Sequence, residues 1–375
     1  MEITSNVKKE PDRKHYIDNL RWFCILLLIP FHASMAWNTW GEGNYIWFNE
    51  NRLMSTFLVF ISPWYMPLLF VIAGMSTKYA LQKRSVGEFV KNRAQKLFIP
   101  MLAGIVTIVA AMAYYADRFN CGYSGGFISH YKVFFTRLTD LTGYDGGFSP
   151  GHLWFLLYLF VISMIAVGII VLQKKLMSRL SFKNINIIAV MALGIVPVIT
   201  SDILSFGGKS LGSYMFLYLS GYYVFAEDTV QEKITAHRYF CAAVATIAAI
   251  VNVVLFIWTD NSNEIINSAA MYIASWFGIL TALGFGRIYF NQSNKVTKYL
   301  ASRSFLFYIF HFLWLVLLQF YISPYTSNTV ILYIIPMLGA YAMTFITCEL
   351  VMRIPIINFL YGAAKRHKVL EHTEK

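Results

Sequence analysis

Charge is what this chain has least of. Only 13% of its 375 residues are Asp, Glu, Lys or Arg, where soluble domains carry about a quarter. That scarcity excludes an ordinary soluble globule. The familiar chemical signatures are missing as well: there is no HExxH, no Walker-type glycine loop and no G-x-G-x-x-G. Metalloprotease, ATP and dinucleotide chemistry therefore have no support, and no metal site is expected. Cysteine is sparse. Cys24, Cys241 and Cys348 fall in apolar stretches and Cys121 in a long loop, which makes neither a disulfide framework nor a metal cluster. Low-complexity tracts, a clear internal repeat and a separate soluble domain are also lacking.

What the chain has in plenty is apolar length. Hydrophobic residues make up 57%, mean hydropathy is +0.54, and several runs reach the ~20 residues that cross a bilayer as helix. The expected architecture is an all-α, polytopic membrane bundle of about ten spans, near 19–38, 55–79, 97–116, 152–172, 185–200, 210–225, 240–258, 265–289, 304–322 and 330–352. Pro63 and Pro67 in the second span are tolerable as packed kinks. The fifth and sixth spans are short and open to being one re-entrant unit. Residues 1–16 form a polar, basic segment, 17–353 the membrane domain, and 354–375 a basic tail. Residues 39–54 read as a polar loop. The longest loop, 117–150, is rich in glycine and aromatics and shows no helical periodicity.

Ten crossings put both termini on one side, and charge says which. Segments on that side carry 26 of the 31 Lys and Arg; only Arg52, Arg118, Lys132, Arg137 and Lys209 lie opposite. By the positive-inside rule both termini are cytoplasmic, in a multi-pass protein of the cytoplasmic (inner) membrane. The net charge of +12 then orients the chain against anionic membrane lipid and requires no nucleic acid. Ser34-Met35-Ala36 loosely fits a signal cleavage site, but the many later spans do not need one.

The chemistry begins in the first span. Arg21 and His32 are eleven steps apart, three helical turns and about 20°, so they share a face, roughly 16 Å apart along the axis. An ionisable group at such depth costs roughly 2.5–3.5 kcal/mol and by default lines a polar interior. Ser304, Tyr308 and His311 stand at i, i+4 and i+7, which places them on one face of the ninth span, with His311 roughly 10 Å in from the cytoplasmic boundary. His152, beside Trp154, opens the fourth span at the outer face. Glu349, four residues before Arg353, lies near the cytoplasmic face beside Asp18 and Arg21. Three histidines at graded depths suggest a polar path converging on one water-accessible cavity. Each element also has a plainer role: a headgroup anchor at His152, interhelical hydrogen bonding through Ser304 and Tyr308, a snorkelling Glu349–Arg353 pair, or lipid contact by the basic run 83–96.

A buried histidine can take the proton of an attacking hydroxyl. Arginines and lysines at a cytoplasmic mouth suit a phosphorylated, polyanionic donor. Together they point to group transfer, although a transporter or flippase would also use membrane histidines and carboxylates, and a catalytically silent envelope partner is compatible too.

Arg21 and His32, with ten residues between, resemble the Arg-x10-His signature of the membrane acyltransferase family 3. Four further stretches agree in order. Phe70-Val71-Ile72-Ala73-Gly74 resembles the family's Phe-Val-x-Ser-Gly, with Ala73 in place of Ser, and Arg93 to Pro100 resembles Arg-x-x-Arg-Leu-x-x-Pro, with Lys96 in place of the second Arg. His152-Leu153-Trp154-Phe155 and Ser304-x-x-x-Tyr308-x-x-His311 match two more patterns. The opening and the short layout look closest to the family's OpgC-type glucan succinyltransferases. The resemblance implies an O-acyltransferase moving an acetyl or succinyl group from acyl-CoA to a hydroxyl of an extracytoplasmic glycan. It implies His32 as general base, with Arg21, His311 and Tyr308 beside it. Arg21, Arg93 and Lys96 would hold the CoA phosphates, and His152, Trp154, Ser304 and Glu349 the substrate. Loop 117–150 would receive the acceptor. Lys96 keeps the charge but not the bidentate fork of arginine.

Overall fold

The computed structural model describes residues 14–138, 146–176, 181–259 and 263–362. Expectations placed on residues 1–13, 139–145 and the tail beyond Gly362 lie outside the described residues. Helix dominates because an apolar run in lipid satisfies its backbone only within itself. In chain order, α1 (His15–Leu26) and α2 (Leu28–Met35) lead into α3 (Arg52–Lys83) and α4 (Val86–Asn120). A short α5 (Phe127–Thr136) precedes α6 (Gly151–Leu176), α7 (Ile187–Ile199) and a small ribbon, β1 (Ser205–Phe206) with β2 (Lys209–Ser210). Then come α8 (Leu211–Ser220), α9 (Asp228–Ala236), α10 (Arg238–Trp258), α11 (Glu264–Tyr289), α12 (Lys295–Tyr325), α13 (Thr329–Arg353) and α14 (Pro355–Leu360). Asparagine starts several of them: the Asn51, Asn263, Asn294 and Asn328 side chains accept from the first free N–H groups of α3, α11, α12 and α13, as N-caps do.

Among the described residues seven helices are long and apolar enough to cross a membrane: α3, α4, α6, α10, α11, α12 and α13. The stretches of the other three expected spans hold shorter helices. Residues 19–38 divide into α1 and α2, residues 185–200 contain α7, and residues 210–225 form α8 followed by a π turn, Gly221–Phe225. The division of the first span has a local cause. Pro30 has no N–H to donate to the Leu26 carbonyl, and the Tyr341 hydroxyl of α13 donates to that carbonyl instead, at 2.7 Å. Pro63 frees the Val59 carbonyl in the same way, and Asn252 of α10 reaches it at 3.5 Å.

Gly74 lets α3 and α8 touch backbone to backbone. A Cβ there would collide with the Tyr218 carbonyl, and one at Gly221 with that of Val71. Close approach of this kind is what small residues permit in membrane helix pairs. It brings the Tyr218 hydroxyl to 2.5 Å from Thr77 Oγ1.

Both loops differ from expectation. Residues 39–54 do not all stay in solvent: Asn44, Tyr45 and Ile46 are buried, with the Tyr45 carbonyl accepting from Asn120 at 2.9 Å. Within 117–150, α4 continues to Asn120 and α5 forms a further helix. The His130 ring meets Asp117 of α4 at 2.8 Å, and Arg137 donates to the same carboxylate at 2.9 Å. Aromatic packing and this buried polar join supply what periodicity did not show.

Candidate active site

Three histidines meet in the middle of the bundle. His32 on α2, His152 in the tight turn opening α6 and His311 on α12 are all buried. The His32 and His311 rings lie 5.4 Å apart between centroids, as do those of His152 and His311, and Phe312 stacks on His32 at 4.0 Å. The rings expected at graded depths therefore meet in one cluster. Two local facts account for it. α12 begins at Lys295, nine residues before the expected boundary, so His311 sits deeper in its helix than counted. Gly151, in the left-handed region at φ +52°, folds the chain inward just before His152, a conformation that favours glycine. His152 is accordingly no headgroup anchor.

Hydrogen bonds fix which nitrogen of two rings carries the proton. His311 Nδ1 lies 2.7 Å from the Tyr308 carbonyl, and His152 Nε2 3.0 Å from that of Ile309. A carbonyl only accepts, so both ring atoms donate and the opposite nitrogens hold lone pairs. Those nitrogens, His311 Nε2 and His152 Nδ1, are buried without a partner, as is His32 Nδ1. Buried polar atoms are seldom left so, and each such case calls for an explanation. Tyr308, expected beside His32, has its hydroxyl donating to the His152 backbone carbonyl. Among the described residues no three His, Cys, Asp or Glu side chains stand where they would hold one metal ion.

Arg21 and Arg93 gather in a second group nearer the Lys14 end of the bundle. Arg21 donates to Ser76 Oγ and to Asp18, both at 2.9 Å. Arg93 donates to Thr77 Oγ1 at 2.9 Å and lies over the Phe89 ring at 4.9 Å. Two arginines from α1 and α4 thus converge on adjacent hydroxyls of α3. Asp18 neutralises Arg21, whereas among the described residues no carboxylate within ion-pair distance of Arg93 is found. Lys96, on the π turn Ala94–Phe98, is exposed.

The arginines and the histidines thus form two groups, with Cys24, Ile25, Leu28 and Ile29 buried on α1 and α2 between them. The remaining candidates stand apart from both. Glu349 pairs with Arg303 at 2.7 Å, on the neighbouring α12, and not with its i+4 neighbour Arg353. Ser304 donates to the Ala301 carbonyl at 3.0 Å and borders a void of about 10 Å³, room for about one water. Trp154 packs in an aromatic group with Phe70, Tyr158 and Tyr214, and the Lys209 ammonium lies 5.3 Å from its ring.

Sequence reasoning did not single out Ser76, Thr77 and Tyr218 around the arginines, nor Asn44 and Tyr45 beside the histidines. Asn44 donates to the His32 carbonyl at 3.1 Å. Tyr45, at φ +59°, packs 5.4 Å from Phe312. A non-glycine residue at positive φ clusters at functional sites, yet no sequence pattern announces one. The hydroxyl pair Ser76-Thr77, directly after Gly74-Met75, did carry a signal: polar side chains inside a span deserve a partner.

Comparison with known proteins places this arrangement. No solved structure matches the chain. Glucans biosynthesis protein C of Salmonella heidelberg (strain SL476) is 24% identical over 385 residues, covering 93% of this chain and 94% of the relative. Glucans biosynthesis protein C of Salmonella typhi and of Salmonella typhimurium (strain LT2) matches to the same extent. The acyltransferase-domain family model matches residues 14–353, almost the whole chain, and this protein belongs to that acyltransferase family.

Proposed function

We propose that this protein is an integral-membrane O-acyltransferase that moves an acetyl or succinyl group from cytoplasmic acyl-CoA to a hydroxyl of an extracytoplasmic glycan. The observation that carries the reading is the meeting of His32, His152 and His311 with one buried, unpartnered nitrogen each, in a chain of an acyltransferase family. The named function of its relatives, glucan biosynthesis, supports a glycan acceptor. The bundle makes about ten crossings of the cytoplasmic membrane, the short helices α1–α2, α7 and α8 supplying the other three, with both termini cytoplasmic.

His32 is the general base. The acceptor O–H gives its proton to the imidazole, the oxygen bonds to the acyl carbonyl carbon, and the carbon–sulfur bond breaks. The leaving thiolate then takes the proton from the imidazolium and departs as the free thiol. His311, ring to ring with His32, offers Nε2 to the charged form. His152 and Tyr308 position it, the tyrosine holding the Gly151–Leu153 turn. Arg93, a cation held by a hydroxyl and an aromatic face, suits a phosphate of the donor, with Arg21 beside it and Lys96 at the mouth. The two groups lie roughly 16 Å apart along α1 and α2, a distance within the reach of a long flexible donor arm.

The test is release of free thiol from acetyl-CoA and succinyl-CoA by purified protein with candidate glycans. His32→Ala should lose ~10²–10⁴-fold in turnover while unfolding at the wild-type temperature. Full turnover in that variant would remove His32 from the base role. Glycan uptake into proteoliposomes without any donor would instead favour transport.

A further inference from the structure

On the other side of the histidines from the arginines, the bundle holds a cavity of about 470 Å³. It lies among the ends of α2, α4, α12 and α13, with Trp37 and Phe119 among its walls. From it we infer the binding site of the acceptor: an uncharged oligosaccharide seated on aromatic faces with its hydroxyls on a polar rim. The inference rests on the acyltransferase reading and adds to it where the acceptor sits.

The lining makes the argument. Trp37, Phe48, Phe119 and Phe320 supply aromatic surface, while Asn49, Arg118, Ser323, Thr326, Ser327 and Thr329 supply an amide, a guanidinium and hydroxyls. A hexose presents C–H faces and a rim of O–H groups, and this mixture answers both; a lipid chain would leave the polar half unused. No carboxylate is among the described lining residues; Arg118 Nη1 donates to the Tyr114 hydroxyl at 3.3 Å and its guanidinium lies 5.3 Å from the Phe320 ring, which leaves its other N–H groups for a ligand hydroxyl. The volume falls within the ~300–1,000 Å³ of small-ligand sites. The site also lies near the chemistry along the chain. Trp37 packs on Phe48 at 4.9 Å and stands five residues beyond His32, in the turn after α2. The chain order is Arg21, His32, Trp37, with His32 between the two proposed binding groups. Among the described residues, loop 117–150, the expected receiver, contributes two lining residues, Arg118 and Phe119.

The experiment is calorimetric titration of the full chain in nanodiscs with short glucose oligomers, without any acyl donor. The wild type should bind. Phe320→Ala and Asn49→Ala should each weaken binding by about tenfold, and Ser327→Trp, which fills the mouth from an exposed position, should abolish it. No binding by the wild type, unchanged binding in all three pocket variants, or displacement by an acyl chain and not by sugar would each overturn the assignment. Binding with no thiol release from any donor would leave this site standing and remove the acyltransferase mechanism. Transfer that persists in Ser327→Trp would do the reverse.

Discussion

At the scale of the residue, what distinguishes the site is unspent hydrogen-bonding capacity. His311 and His152 each give one ring proton to a carbonyl, which orients the ring and leaves the other nitrogen's lone pair free for chemistry. Tyr308 does its part at one remove, so Tyr308→Phe should act through His152. It leaves a buried carbonyl without its donor, and thermal unfolding should show a loss of ~1–3 kcal/mol, with kcat falling and the KM for the donor unchanged. Arg93 makes the opposite prediction. Charge-assisted contacts to a phosphate, as proposed for it, are worth ~1.5–3 kcal/mol, so Arg93→Gln should raise the donor KM by about 10–100-fold with kcat little changed. A fall in kcat alone would place Arg93 outside the donor site. The residue types here were legible as chemistry in the sequence, but their partners were not. Glu349 shows why: its nearest arginine by helical spacing is Arg353, and its actual partner is Arg303, 46 positions away.

At the scale of the element, prolines and glycines decide how the site is assembled. Pro30 interrupts the first apolar run, and Tyr341 compensates at the freed Leu26 carbonyl. Membrane hydrogen bonds of this kind are worth about 0.6 kcal/mol on average and up to about 1.7. Tyr341→Phe should therefore cost about 1 kcal/mol in a thermal unfolding comparison. Pro30→Ala restores the helix's own donor, so in that background Tyr341→Phe should cost little. Equal costs in both backgrounds would separate the tyrosine from the proline. Gly74 sets the α3–α8 contact that delivers Tyr218 to Thr77, and Gly74→Leu should disturb the Arg93 site before it disturbs the histidines. Donor binding should weaken while glucose-oligomer binding persists. The sequence made Gly74 visible as part of a motif. Its reason, a collision with the Tyr218 carbonyl, depends on a helix almost 150 residues further on.

At the scale of the whole molecule, the proposed orientation rests on charge, and the cysteines offer a direct check. Cys121 is exposed, and Cys24, Cys241 and Cys348 are buried. A membrane-impermeant maleimide added outside intact cells should modify Cys121 and none of the other three. Labelling only after lysis would reverse the proposed topology. In the proposed orientation the arginines and the 470 Å³ cavity face opposite sides, as a donor and an acceptor from different compartments require.

Composition alone settled that this chain is helical and membrane-bound, because apolar runs of that length have no other satisfied backbone. The order of its motifs pointed to its family. Local spacing determined which residues share a helix face, since a helix's period is set by its own hydrogen bonds. What no local rule reached was decided by packing between helices distant in sequence. The histidines meet in one cluster, the arginines form a separate group on Ser76 and Thr77, and a nominally polar loop buries Asn44 and Tyr45 beside the site. Depth along a helix depends on where that helix begins and on how its neighbours hold it, and only tertiary contacts carry that information.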